Sequence, residues 1–172
     1  MAVADAAGCV LLAGCTATVA GQGTADQGIK HLNFNGMPLG KLDACSLLAD
    51  DFVTKQFGAS LPKTTMSSKH YCEWGGSVHD AGDVNLSFAA YKPSAGRPGT
   101  TQENLGGRTS TVIPLDATLC GIETSLGEDW GPGESGSKQM AAIDVTTTDG
   151  KDPCAVARTV ATAAWPKLPA VS

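Results

Sequence analysis

Two segments of this chain, LDACSLLADDF at 42–52 and KDPCAVARTVATAAW at 151–165, repeat one local pattern: an Asp, one residue, a Cys, then apolar residues at helical spacing. This pattern constrains the fold most, because a cysteine in the first turn of a helix, once bonded elsewhere, fixes that helix against the element carrying its partner. Asp43 and Asp152 are suited to cap the helices they precede, since a carboxylate there accepts from an otherwise orphaned backbone N–H. In the first segment Leu47, Leu48, Phe52 and Val53 form an apolar stripe and Gly58 follows its end. In the second, Pro153 takes the first helical position, where its missing N–H costs nothing. Val156, Val160 and Ala164 recur on one face, and Pro166 stops the helix. The first segment has the larger apolar side chains, which predicts that the second helix depends more on its bridge.

Of six cysteines, Cys9 and Cys15 belong to the N-terminal segment, leaving Cys45, Cys72, Cys120 and Cys154. An even number in an exported domain argues for two disulfides, with three possible connectivities. There is no CxxC and no Cys/His pair at finger spacing, so neither a zinc site nor a thioredoxin-like motif is expected. Chain order and the repeated pattern favour Cys45–Cys72 and Cys120–Cys154, each joining a helix start to a strand. HYCEW puts His70, Cys72 and Trp74 on one strand face, and LCGIET does the same for Cys120 and Ile122. Each bridge would close a loop of roughly 30 residues, stabilising the fold by about 3–4 kcal/mol in the chain-entropy model. A cysteine at a helix N-terminus can also be a reactive thiolate. With no histidine at a useful spacing, Cys45 and Cys154 make a weak enzyme, and no catalytic residue is assigned.

Between the helices, DVNLSFAAY alternates with Val84, Leu86 and Phe88 on one side and Asn85 and Ser87 on the other, while RTSTVIP and QMAAIDVTTT are alternating and β-branched. KPSAGRPGTTQENLGG and GEDWGPGESGSK read as long Pro/Gly-rich loops. The expectation is an α+β domain over residues 39–172, an antiparallel sheet of about five strands with two helices on one face. A chain of 172 residues suits one such core. Its net charge of −5, with 12 Lys and Arg that never cluster, argues against a nucleic-acid face.

The opening apolar run, Ala6 to Gly14, is too short to span a bilayer and fits the core of a signal peptide over residues 1–14. It ends in Leu12-Ala13-Gly14-Cys15, a lipobox, in which a peptidase cuts before a cysteine already carrying diacylglycerol. Residues 15–38 are polar and Gly/Thr-rich, as a flexible tether would be. The membrane is thus the expected partner, through a lipid anchor at Cys15 on the extracytoplasmic face of the cell membrane. No Lys or Arg precedes Lys30 and Asp5 is present, so either the positive leader of an export signal lies upstream of Met1, which is the expectation favoured by the order of apolar run, lipobox and tether, or the segment is not an export signal. The rival reading makes Cys9 and Cys15 buried cysteines, leaving a short apolar helix on a Gly-rich linker with nothing to pack on.

The lipobox, the D-x-C-x-L-L helix start, the Cys-x-Trp strand, the later Cys in an alternating strand and the terminal D-P-C-x-x-A helix ending in KLP together resemble an actinobacterial lipoprotein family, known from mycobacteria and catalogued as a domain of unknown function. The resemblance covers most of residues 40–169. It implies location and disulfide architecture, and brings no activity or catalytic residues.

Other motifs fail. GPGESG fits G-x-G-x-x-G but lies in a loop and opens no helix, and Ser135 is no nucleophile elbow. His31, His70 and His79 are scattered; Glu128, Asp129 and Glu134 lack calcium-loop spacing. Trp74 and Trp165 read as core, whereas Trp130 in the Gly/Pro loop is the candidate contact for a partner. No cofactor and no metal is expected. The expected function is a non-catalytic binding or interaction module at the cell envelope, meeting an envelope protein or ligand; the alternative is a small envelope hydrolase. A hydrolase should show a concave pocket with convergent polar groups, an interaction module an apolar patch.

Overall fold

The repeated Asp-x-Cys pattern forms the same local bond twice. The Cys45 N–H donates to Asp43 Oδ1 at 2.9 Å, and the Cys154 N–H donates to Asp152 Oδ1 at 2.9 Å. The computed structural model describes residues 42–65, 69–76, 82–129 and 136–170, without the side chains of 128 and 129. At Asp152 the cap opens helix α2, Pro153–Ala164. At Asp43 it opens only a 3-10 turn, Ala44–Ser46. Helix α1 is Asp50–Phe57, so Cys45 lies ahead of it and Asp43 does not cap it. The backbone turns extended at Ala49, and Asp50 and Asp51 then occupy the first helical turn, where acidic groups favour the helix dipole. The new direction brings Asp50 Oδ1 to 2.8 Å from the Trp74 indole N–H and 3.0 Å from Lys63 Nζ. Leu47 and Leu48 are buried from the turn, not from a helical stripe.

The strands are β1 (Lys63–Thr65), β2 (Tyr71–Trp74), β3 (Gly82–Tyr91), β4 (Thr101–Leu105), β5 (Arg108–Pro114), β6 (Leu119–Asp129) and β7 (Lys138–Thr147). They form one antiparallel sheet in the order β1-β2-β3-β7-β6-β5-β4. The sheet has seven strands where about five were expected. The two additions, β1 and β4, are its edges. KTT in β1 is exposed throughout and TQENL in β4 buries only Leu105, so neither carries the alternation that marks a strand with a core face. β4 is the second half of a segment expected to be loop. Gly106 and Gly107, with φ of 57° and 85°, make the two-residue turn that returns it to β5.

One face of the sheet carries the core. Cys72, Leu86, Ile143, Ile122 and Val112 lie directly opposite one another across five strands, and all are buried. Trp74, Val84, Val145 and Cys120 form the neighbouring row. Val53 and Phe57 of α1 and Val156, Val160, Ala161 and Ala164 of α2 share this cluster, so both helices cover the same face. Cys45 is bonded to Cys72 and Cys120 to Cys154, with Cα–Cα distances of 5.0 and 5.1 Å. The second bridge clamps the start of α2 to the sheet. The first clamps the 3-10 turn.

The far end of α2 is tied separately. The Trp165 indole N–H donates to Ser110 Oγ at 3.0 Å, and the Arg108 guanidinium donates to the carbonyls of Trp165 and Pro169, tying the chain after the helix to β5. Arg158 forms a two-pronged ion pair with Glu103 on edge strand β4.

Candidate functional site

Residues alternating with the core rows point to the opposite face, which neither described helix covers. Glu73, Asn85, Asp144 and Gly121 lie directly opposite one another on β2, β3, β7 and β6. Asp83 is two residues from Asn85 on the same strand, and Glu123 two residues from Gly121, so the carboxylates step diagonally as Glu73, Asp83, Asp144, Glu123. Diagonal neighbours on an antiparallel face are about 7–8 Å apart, close enough for each charge to feel the next. A period of 2 along each strand makes the row, and strand order makes it continuous.

Hydrogen bonds organise both ends. The Tyr71 hydroxyl donates to Asn85 Oδ1 at 2.7 Å, and Asn85 Nδ2 donates to Asp83 Oδ1 at 3.2 Å. The Thr146 hydroxyl also serves Asp83. At the other end the backbone N–H of Ser94 donates to Glu123 Oε1, and the Tyr91 hydroxyl bonds the same carboxylate. The loop after β3 thereby covers Glu123, which is only 3% exposed.

Between these ends lies a depression of about 280 Å³ lined by Ser87, Tyr91, Ile113, Gly121, Ile122, Glu123, Ala142 and Asp144. Gly121 explains it. Its φ is not in the left-handed region, so conformation does not require glycine, and a glycine inside a strand weakens it. A Cβ at this position would lie 3.0 Å from Asp144 Oδ1 and 3.7 Å from Ile113 Cβ. The missing side chain, with small Ser87 and Ala142 beside it, is the space.

The electrostatics follow from burial and like charge. Asp144 is pushed above the ordinary carboxyl range by burial, then by Asp83 and Glu123. Burial likewise raises Asp83, with a contribution from Glu73 that the Thr146 hydroxyl partly offsets. Burial raises the Tyr91 phenol, reinforced by Glu123, and raises the Tyr71 phenol, reinforced by Glu73. The carboxylates are spread over four strands, and among the described residues no group of three or more His, Cys, Asp or Glu is placed to hold a metal ion.

The four core cysteines meet in pairs, whereas Cys15, Trp130, His31 and His79 lie outside the described residues, as do the side chains of Glu128 and Asp129. His70 packs edge to face on Phe88 at 6.5 Å, on the core side and away from the depression. Sequence reasoning placed Asn85 and Ser87 together on the side away from the core but named none of Asp83, Glu123, Asp144 or Tyr91 as site residues. The polar positions in DVNLS and AAIDV were the available signal; strand adjacency was not. A second, more open concavity of about 420 Å³ lies between the helices, lined by Phe52, Arg158, Thr159, Thr162 and Ala163.

No family model matches this chain, and neither the curated proteins nor the solved structures contain a match. Its own geometry therefore carries the functional reading. No helix among the described residues is long and apolar enough to cross a membrane.

Proposed function

We propose that this chain is a lipid-anchored extracytoplasmic domain, attached through Cys15 to the outer face of the cell membrane, that binds an envelope protein or ligand and performs no catalysis. Its contact surface is the open face of the sheet around Gly121, with Trp130 as a second contact. The observation that carries the contact surface is the depression: a strand glycine without a conformational reason, beside small residues and lined by Tyr91 and the carboxylates Glu123 and Asp144. Two disulfides suit an oxidising compartment, which supports the location together with the apolar run, lipobox and tether. The actinobacterial lipoprotein resemblance agrees with that location.

Two observations favour the second reading, a small envelope hydrolase, beginning with the depression itself, a concavity with the convergent polar groups expected of one. Asp144, a carboxyl raised by burial at the rim of a polar concavity, has the character of a general acid. Against it, the facing Glu123 is engaged by Ser94 and Tyr91, and the four described cysteines are all bonded in disulfides.

The test has two arms. Cys15→Ser in the native host should release the chain from membranes and change its electrophoretic mobility; unchanged behaviour refutes the anchor. Pull-downs from solubilised membranes should recover a partner with the wild-type chain and lose it with a folded Gly121→Val variant. Recovery of the same partner by both refutes the assigned surface.

A further inference from the structure

The carboxylates of the open face have an arrangement that a simple solvated surface does not. Asp144 sits in the middle of the row with a carboxylate on each flanking strand, Asp83 on β3 and Glu123 on β6. The groups facing it are Asn85, Asp83, Ser87 and the titratable Tyr91 from β3, Gly121 and Glu123 from β6, Ile113 from β5 and Ala142 and Thr146 from its own strand. From β2 come Glu73 and Tyr71. None is a cation. The ion pairs among the described residues, Lys63–Asp50, Lys151–Asp149 and Arg158–Glu103, use other carboxylates. Lys138 is opposite Tyr91, six positions along β7 from Asp144 and about 20 Å away at strand rise.

Asn85 joins the row. Its carbonyl accepts from Tyr71 and its amide donates to Asp83, while its backbone position is directly opposite both Glu73 and Asp144. A row of carboxylates at diagonal spacing, with no cation among the described residues paired to it, cannot all ionise without cost. Asp83 and Asp144, diagonal neighbours in the middle of the row, are then expected to titrate as a coupled pair, not as independent acids.

We propose that this row is a proton-sensitive surface: it takes a proton from solvent at acidic pH, centred on Asp144 and Asp83, and releases it towards neutrality, so that pH sets the charge of the open face. Uptake removes one negative charge from the rim of the depression. It also converts an acceptor-only carboxylate into a carboxylic acid with an O–H donor. The consequence for binding rests on the proposed function of this face, but the proton uptake does not, so the two are tested separately.

The experiment is a carbon-13 NMR titration of side-chain carboxyls in the full chain, without ligand. Asp116 and Asp149, exposed and held by their own local donors, are the internal references. Asp83 or Asp144 is expected to bind its proton at least about tenfold more tightly than they do, equivalent to one pH unit. Asp144→Asn should shift the Asp83 curve towards lower pH, and Asp83→Asn should do the same for Asp144. The second variant keeps the test valid if the first does not fold. Asp116→Asn should change neither. Titration of Asp83 and Asp144 together with the references, or curves indifferent to each other's substitution, overturns the proposal. If the coupled titration holds while pull-downs are insensitive to Gly121→Val, the proton device stands and the binding surface falls.

Discussion

Removing the two disulfides one at a time should not cost the same. The closed loops have sequence separations of 27 and 34 residues, and the chain-entropy term is about 3.6 and about 3.8 kcal/mol, a difference too small to rank them. The native state makes the difference. Cys120 and Cys154 are both buried, so Cys120→Ala with Cys154→Ala leaves a void under the start of α2. A sulfur volume of about 40 Å³, at about 24 cal/mol per Å³ of cavity, adds on the order of 1 kcal/mol. Cys45 is only partly buried, and the gap left by Cys45→Ala with Cys72→Ala can relax towards solvent. The Cys120/Cys154 variant should therefore lose about 5 kcal/mol and the Cys45/Cys72 variant about 4 kcal/mol. The sequence predicts the same order for another reason, that large side chains hold the first helix. In the structure α1 fully buries only Val53 and Phe57, so that reason is weaker than the burial of the bridge itself. Guanidinium melts of both double variants, compared at a common denaturant concentration, provide the measurement. An equal or larger loss from the Cys45/Cys72 pair would refute the cavity argument.

Asp144→Asn should raise the thermal midpoint at neutral pH and change it little at acid pH. Asp83 and Asp144 are raised in the fold, so their contribution is complete below the unfolded value and lost as pH rises through the folded one. Asp50 and Glu103, lowered by their hydrogen-bond and ion-pair partners, contribute above the unfolded value and lose that contribution as pH falls. Midpoints across a pH series should peak between these windows, and a monotonic rise to neutrality would contradict the signs. Gly82→Ala should be severely destabilising, because φ is 106° and the new Cβ would lie 2.2 Å from the Thr146 carbonyl oxygen; a melt within experimental error of wild type would disprove it. Trp165→Phe should cost about 1–2 kcal/mol by removing the indole donor to buried Ser110, measured by denaturant melts of the single variant and of its double with Ser110→Ala. Glu103→Gln should cost about 0.5–1 kcal/mol at low ionic strength and less at high salt, since its pair with Arg158 is partly exposed.

What the sequence determined was everything that depends on local chemistry. Asp43 and Asp152 had to offer a carboxylate to the N–H two residues on, and both do. Strands with a buried face announced themselves through alternation, which is why β2, β3, β5, β6 and β7 were legible and the edge strands β1 and β4 were not: an edge can be polar throughout and still pair through its backbone. The same periodicity put Asn85 and Ser87 away from the core. What only the tertiary structure decided was adjacency. The order β2-β3-β7-β6 brings Glu73, Asp83, Asp144 and Glu123, drawn from separate stretches of the chain, into one diagonal row. Gly121 gains its meaning only opposite Asp144, and Cys45 leaves the helix only because the chain turns at Ala49 to bring Asp50 to Trp74. Local hydrogen bonding is written within a few residues, but a charge feels whatever the fold places beside it.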